Sequence, residues 1–305
     1  MNGVIVIDKP SDFTSFDVVA VMRRLSGQRK IGHTGTLDPM ATGVLPLLLG
    51  RATRAASLLE DVDKLYEAEF LLGVQTDTQD STGKVLAESD CPVSHAQLLD
   101  ALPAFRGDIL QTPPMYSAVS KDGKRLYELA RKGIEVEREA RPITIYQLDL
   151  LEYREEERRG TLRVSCSKGT YIRTLCEDLG RALGTYGILT ALRRTAACGF
   201  SLEQAVTLPQ AQALSEAGTL AERLQPIDGL FPSSPKLAVT APQSLRFQNG
   251  GALALNRLSA AAEAWADGQQ VRVYSPEQEF LGLGQVDMEK KELAVRKLFC
   301  APISG

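Results

Sequence analysis

A chain of 305 residues, 44% hydrophobic, 24% charged and 6% aromatic, has ample apolar material for a packed core. That composition excludes disordered and collagen-like architectures, and no fixed-period repeat is visible. A formal net charge of −3 argues against indiscriminate binding of polyanions, which draws on an excess of Lys and Arg, but allows a nucleic acid recognised by a local basic face.

At roughly 100–200 residues per domain the length suggests two domains. The chain opens on Val4-Ile5-Val6-Ile7, a short buried strand ended by Asp8-Lys9-Pro10. This stretch is too short for a signal-peptide core, and Val44 to Leu49, the most apolar segment, falls far short of the ~20 residues of a membrane span. A soluble, cytoplasmic protein is expected. Ser15 or Asp17 is placed to cap a helix through Val18, Val19, Val21, Met22 and Leu25, which recur at helical spacing. Residues 32–50, punctuated by Gly, Pro and Thr, read as loop. Strand patterns follow at 66–72 and 162–166, and helical ones at 95–104, 126–132, 172–183 and 209–224. Their interleaving lacks βαβ periodicity, which predicts an α+β fold with a mixed sheet. Pro226, Pro232, Pro235 and Pro242 mark a boundary. The segments 271–274, 280–286 and 293–299 beyond it read as a small β-rich module, near the lower size limit for independent folding and so expected to pack on the larger domain.

Five cysteines (Cys91, Cys166, Cys176, Cys198, Cys300) form no C-x-x-C pair, and the two histidines, His33 and His95, lie in no H-E-x-x-H frame. Neither a disulfide framework nor a zinc site is expected. Asp77 to Gly83 resembles a calcium loop, but its spacing fails and a polar turn is the better reading.

Four segments are candidates for chemistry. Residues 32–46 place one carboxylate, one imidazole and three hydroxyls on a glycine-rich stretch that is not a Walker A motif. Here Asp38-Pro39 reads either as a helix N-cap with proline at the first helical position or as a reactive carboxylate. His33 alone reads more readily as an ordinary loop or core histidine. In Ser167 to Leu175, Arg173 is either solvated or paired with a buried carboxylate. Tyr66 belongs to the core or stacks on a base. Residues 111–142 interleave Lys121, Lys124, Arg125, Arg131, Lys132, Arg138 and Arg141 with Tyr116 and Tyr127, diluted by acids that include Asp122. Arg163, Lys168, Arg173, Arg181, Arg193 and Arg194 against Glu177 and Asp178 form a clearer cationic patch.

Taken together these segments resemble the TruB family of pseudouridine synthases. The resemblance rests on Gly3 to Pro10, G-H-T-G-T-L-D-P with Ala41 to Pro46, Lys64-Leu65-Tyr66, Pro114 to Ala118, Arg141-Pro142-Ile143, Ser167 to Arg173 and Leu192-Arg193-Arg194. It implies a central mixed, largely antiparallel sheet flanked by helices and loops, a catalytic domain over 1–232 with an RNA-binding insertion at about 111–141, and a PUA-like RNA-binding domain over 233–305. It also implies isomerisation, without cofactor or metal, of the T-loop uridine at position 55 of tRNA. Asp38 falls at the catalytic aspartate, Arg173 at its arginine partner and Tyr66 at the tyrosine that stacks on the target base. Tyr171 and Leu192 fall at positions lining the uracil pocket, His33 at a histidine that packs on neighbouring nucleotides, and Lys9 at a lysine near the active site. A monomer without an obligate protein partner is expected. The rivals are a non-catalytic tRNA-binding chaperone on the same fold, the guide-RNA-dependent relative of box H/ACA particles and, more remotely, a small-molecule enzyme.

Overall fold

The computed structural model describes residues 1–59, 63–121, 123–258 and 264–301. Its elements run β1 (Gly3–Lys9), α1 (Ser15–Ser26), β2 (Ile31–His33), β3 (Thr42–Leu49), β4 (Lys64–Leu72), β5 (Val74–Thr76), β6 (Val85–Glu88), α2 (His95–Ala101), β7 (Gly107–Gln111), β8 (Ser120–Lys121), β9 (Lys124–Arg125), α3 (Leu126–Ala130), β10 (Arg141–Arg154) and β11 (Arg159–Cys166). They continue with α4 (Ile172–Ala182), β12 (Gly187–Ala197), β13 (Phe200–Ser201), α5 (Leu208–Glu216), β14 (Lys236–Ala238), α6 (Ala241–Gln248), β15 (Leu253–Ala254), β16 (Gln270–Tyr274), β17 (Phe280–Asp287) and β18 (Glu292–Leu298). The α+β class read from the sequence is the observed one. One sheet runs β1-β3-β12-β4-β11-β10-β7, with β2 and β13 on its margins, and among the described residues only its β3–β12 pairing is parallel.

Period-2 alternation explains why the first strands are apolar throughout. Ile5 and Ile7 of β1 and Leu45, Leu47 and Leu49 of β3 enter one core, while Val4, Val6, Val44 and Leu48 enter another on the opposite face. Helices α1 and α4 close the first face with Val18, Val19, Met22, Leu175, Cys176 and Leu179. Gly43 permits the parallel contact: a Cβ there would come within 2.2 Å of the Arg194 carbonyl oxygen.

Several expected boundaries move. Residues 32–50 are loop over 34–41 only; Thr42–Leu49 is strand, because that run is buried on both faces. Pro46 is tolerated because it falls between the part of β3 paired with β12 and the part paired with β2. Thr14 caps α1 in place of Ser15 or Asp17, its hydroxyl accepting the Asp17 amide (3.1 Å) while the Asp17 carboxylate accepts the Thr14 amide (2.8 Å). Ser15 turns inward to exchange hydrogen bonds with the Leu37 backbone, 2.9 and 3.2 Å. The expected helix at 209–224 stops at Glu216, where Gly218 adopts φ of +73°, and a separate 3-10 turn follows at Leu220–Arg223.

The second sheet runs β14-β16-β17-β18-β15 around its own core of Leu237, Phe247, Trp265, Val271, Val273 and Leu293. Leu283 and Phe299 leave that core and join the outer face of the first sheet beside Val4, Leu48 and Phe231. Arg54 Nη1 donates to the Leu298 carbonyl at 3.0 Å and the Tyr274 hydroxyl to Asp228 at 2.6 Å, so polar contacts also tie this sheet to the earlier part of the chain. Of the module expected over 233–305, residues 259–263 and 302–305 lie outside the described residues.

Candidate active site

Asp38 lies in a turn between β2 and β3. No helix follows it, so the N-cap reading fails: its carbonyl accepts the Ala41 amide at 3.1 Å and the chain enters β3 at Thr42. The turn is held from three sides. Ser15 binds Leu37, the amide of Asp12 donates to the Pro39 carbonyl at 2.9 Å, and the Lys9 ammonium donates to the carbonyls of Pro10, Phe13 and Pro39 at 2.8, 2.6 and 3.1 Å. Lys9 has no exposed surface. Burial pulls its pKa down to about 8 against the raising influence of Asp12 and Asp38. As positioned, the amine holds the loop that carries Asp38 through the Pro39 carbonyl, which puts Lys9 beside that carboxylate.

Arg173, at the second position of α4, is 5% exposed, which overturns the solvated reading. Its Nε meets Asp38 Oδ2 at 2.9 Å, Nη1 donates to the Thr78 carbonyl at 3.0 Å and Nη2 to the Tyr116 carbonyl at 2.8 Å. One fork of donors thus gathers three loops that are distant in sequence. The Asp38 side chain keeps 36% of its surface open. A second carboxylate, Asp80, stands 3.9 Å from the same Nε and is 7% exposed. Its other oxygen accepts from the Thr78 hydroxyl (2.7 Å) and from the amide (2.9 Å) and hydroxyl (2.6 Å) of Thr82. Asp80 escaped the sequence reading because its segment was set aside as a failed calcium loop. Spacing carries no signal for it, because its partner Arg173 is brought to it only by the fold.

Tyr66 on β4 and Leu192 on β12 lie on adjacent strands, Tyr66 opposite Arg194 and Leu192 opposite Ala68, and both are buried, 6% and 8% exposed, in the core cluster that also receives Ile172. Burial raises the Tyr66 phenol to about 12, opposed by the charge of Arg194. Tyr171, half-buried, precedes α4, and its backbone is gripped at both ends by the Gln111 amide, 2.8 Å to its N–H and 3.1 Å from its carbonyl. His33 is half-buried at the end of β2; burial first, then the Arg194 charge, lower its pKa below the usual value. Among the described residues its Nδ1 has no hydrogen-bond partner, and its ring meets Phe16 edge-on at 5.3 Å. Asp38, Arg173 and Asp80 therefore form one charged cluster, with Lys9 bound to the Pro39 carbonyl next to Asp38 and His33 at the end of the strand that leads into its loop.

The cationic patch read from 163–194 is divided: Arg163, Lys168 and Arg181 are exposed, whereas Arg173 and Arg194 are buried. Arg194 is wholly buried and donates to the carbonyls of Val44 (2.7 Å) and Gly35 (3.2 Å), bracing the loop before Asp38. Arg193 pairs with Asp8 at 2.9 Å, Arg163 with Glu67 at 3.3 Å, and Arg181 with Glu177 and Asp178. Alternation along strands β11 and β12 sends such residues to opposite faces, which a linear tally of charge ignores. The insertion at 111–141 leaves β7 and returns into β10 where Gln111 and Arg141 are paired, with Lys121, Lys124, Arg125, Arg131, Lys132 and Arg141 exposed along it. Asp122, counted among its acids, lies outside the described residues.

Comparison with known proteins adds the following. Residues 23–172 match the model of the TruB family pseudouridylate synthase N-terminal domain, residues 173–231 that of the tRNA pseudouridylate synthase B C-terminal domain, and residues 235–299 that of the pseudouridine synthase II TruB C-terminal region. Among curated relatives, the tRNA pseudouridine synthase B of Dechloromonas aromatica is 46% identical, covering 90% of this chain and 92% of its own. Those of Aromatoleum aromaticum (48%, covering 94% and 89%) and Alkaliphilus oremlandii (42%, covering 98% of both) are similar in the same way. Among solved structures, a chain of a Cbf5-Nop10-Gar1 complex superposes with a TM-score of 0.76 at 27% identity, over 98% of this chain and 85% of that one. A chain of an H/ACA RNP bound to a substrate RNA containing 2'-deoxyuridine gives 0.75 at 25%, over 99% and 86%.

Proposed function

The chain belongs to the TruB family of pseudouridylate synthases, enzymes that isomerise uridine to pseudouridine, and on that premise we propose that it acts on the T-loop uridine at position 55 of tRNA with Asp38 as the catalytic carboxylate. The reaction breaks the C–N glycosidic bond, turns the base and joins C5 of the uracil to C1' of the same ribose; C5 gives up its proton and N1 ends carrying one, so substrate and product hold the same atoms. Nothing is exchanged with a second molecule. A carboxylate that is fixed yet open on one side serves this chemistry, because it can bond to, or offset charge on, the carbon from which the base departs. The observation that carries the reading is the 2.9 Å Asp38–Arg173 pair, with Tyr66 and Leu192 in the adjoining core face. The base must leave its stack to reach Asp38, at a cost of a few kcal/mol. In this reading the Tyr66 ring, Tyr171 and Leu192 receive it and offset that cost, and His33 packs on the nucleotides left behind.

In the same reading residues 1–232 form the catalytic unit and 233–305 a PUA-like RNA-binding unit, and the protein works as a monomer in the cytoplasm. The insertion closes over the T-stem-loop with its exposed cations on the phosphates. Replacing residues 119–136 by a short glycine–serine linker, which spares the Tyr116 carbonyl used by Arg173, is expected to weaken tRNA binding by at least about tenfold while leaving the urea midpoint nearly in place. Unchanged affinity in a filter-binding titration would count against the closing role.

The reading as a whole is tested by incubating the protein with an unmodified tRNA transcript and mapping pseudouridine. Product at the T-loop uridine is expected. Binding without product at any uridine would favour the chaperone reading. The guide-dependent alternative has the H/ACA fold likeness in its favour, but the relatives of 42–48% identity are named for action on tRNA. A transcript modified without any added guide RNA would dispose of it.

A further inference from the structure

Phe16 is 71% exposed, although it stands in the first turn of a helix that buries Val18, Val19 and Met22. A lone apolar side chain in water needs no explanation by itself. The setting of this one does. Its chain neighbour Ser15 is clamped to Leu37 by two hydrogen bonds, and Leu37 immediately precedes Asp38. Phe16 is thereby fixed at the rim of the loop that carries the carboxylate. Its ring stands edge-on to His33, centroids 5.3 Å apart and planes at 78°, so the two rings meet as a corner with Phe16 largely open to solvent and His33 half-buried. Burial and the Arg194 charge lower the His33 pKa, so at neutral pH this corner is two uncharged aromatic rings. Asp12 and Asp17 near Phe16 in the chain are set against the Arg194 charge that reaches His33, so the two rings, not a cation excess, mark the corner and suit the flat face of a base.

We propose that Phe16 and His33 together form a stacking corner for a nucleobase flanking the flipped uridine, and that Phe16 is a residue that sets the affinity for the RNA loop. The inference rests on the functional reading above. Flipping one base strips its neighbours of a stacking partner, and an aromatic ring at the lip of the site restores one face. The contact is present before and throughout the chemical step, so it contributes to binding and leaves the chemistry alone.

The test uses the full-length protein and T-stem-loop RNAs in which the nucleotide on either side of the target uridine is intact or abasic. Phe16→Ala is expected to raise the dissociation constant and KM for the intact loop by between about fivefold and a hundredfold, the range of one base–aromatic stack, with the single-turnover rate at saturation unchanged. Phe16→Tyr or Phe16→Trp should restore affinity, whereas Phe16→Leu, apolar but not aromatic, should not. With one of the two abasic RNAs the penalty of Phe16→Ala should vanish, which identifies the stacked base. An unchanged dissociation constant for Phe16→Ala, a full rescue by leucine, or a penalty equal on all three RNAs would overturn the inference. Turnover of the intact loop by the unaltered protein, run alongside, separates the two levels: turnover with no effect at Phe16 rejects the stacking corner alone, and neither turnover nor binding rejects the functional reading beneath it. Because the side chain is mostly in water, thermal midpoints of these variants should stay together, so the readout is not one that a structural role would move.

Discussion

Asp38→Asn should abolish pseudouridine formation while leaving the protein folded and able to bind tRNA. The substitution keeps the shape of the side chain and one oxygen that can still accept from Arg173 Nε, so the 2.9 Å contact that joins the Asp38 turn to α4 survives in weakened form. The backbone of that turn is secured independently by Lys9, Ser15 and Asp12, none of which bonds to the carboxylate. The negative charge and the nucleophilic oxygen are lost. If Asp38 meets the ribose carbon or the base during the reaction, the single-turnover rate on a tRNA transcript should fall by at least about 10⁴-fold, equivalent to about 5 kcal/mol of transition-state stabilisation. The dissociation constant should stay within about twofold, because an interaction used only in the transition state contributes little to ground-state binding. A variant retaining a rate within tenfold of the unaltered protein would remove Asp38 from the chemistry, whatever its geometry.

The fold was legible where one physical signal dominated. The apolar run of β1, the helical spacing of α1 and α4 and the alternating strands of the C-terminal sheet could be read from spacing alone. The pattern failed where tertiary pairing overrode local composition. Residues 42–49 carry Gly43 and Pro46, both hostile to strands, yet form β3 because Gly43 admits the Arg194 backbone and Pro46, in register with Val6 of β1, falls between β12 and β2 on the other edge. β12, with Arg193 and Arg194 at its centre, looked like part of a basic surface. Each arginine is in fact matched by a partner that only the fold supplies, Asp8 for one and two backbone carbonyls for the other.

The candidate site was legible in a different sense. Local pattern preferred an N-cap for Asp38 and left Arg173 undecided, and only the co-linear motifs assembled them into one constellation. No rule of spacing links residues 38, 80, 116 and 173, because what joins them is a side-chain fork reaching across three loops. Asp80 was invisible for that reason. Its meaning depends on a guanidinium supplied from 93 positions further along the chain, at Arg173.

Arg173 is the residue on which that arrangement turns, and two substitutions there should separate its charge from its shape. Arg173→Lys keeps a cation but offers a single compact ammonium, which cannot meet Asp38 Oδ2, the Thr78 carbonyl and the Tyr116 carbonyl along three diverging directions. Two carbonyls then lose their donor, and stability should fall by about 1–3 kcal/mol. The rate should drop by roughly 10²-fold as Asp38 loses its fixed orientation, a misplacement of about 1 Å being sufficient for that. Arg173→Met removes the charge as well and leaves Asp38 and Asp80 facing one another without a cation, which should cost about 3–5 kcal/mol and bring the rate down to that of Asp38→Asn. Urea midpoints and single-turnover rates check both orderings. The decisive comparison is the double variant Asp38→Asn with Arg173→Met. If the arginine serves the reaction through Asp38, the double variant should be no slower than Asp38→Asn alone, and more stable than the sum of the two single losses implies, since the asparagine no longer needs a counter-charge. Rate losses that multiply instead would mean that Arg173 meets the RNA on its own account, with its bond to Asp38 incidental to the chemistry.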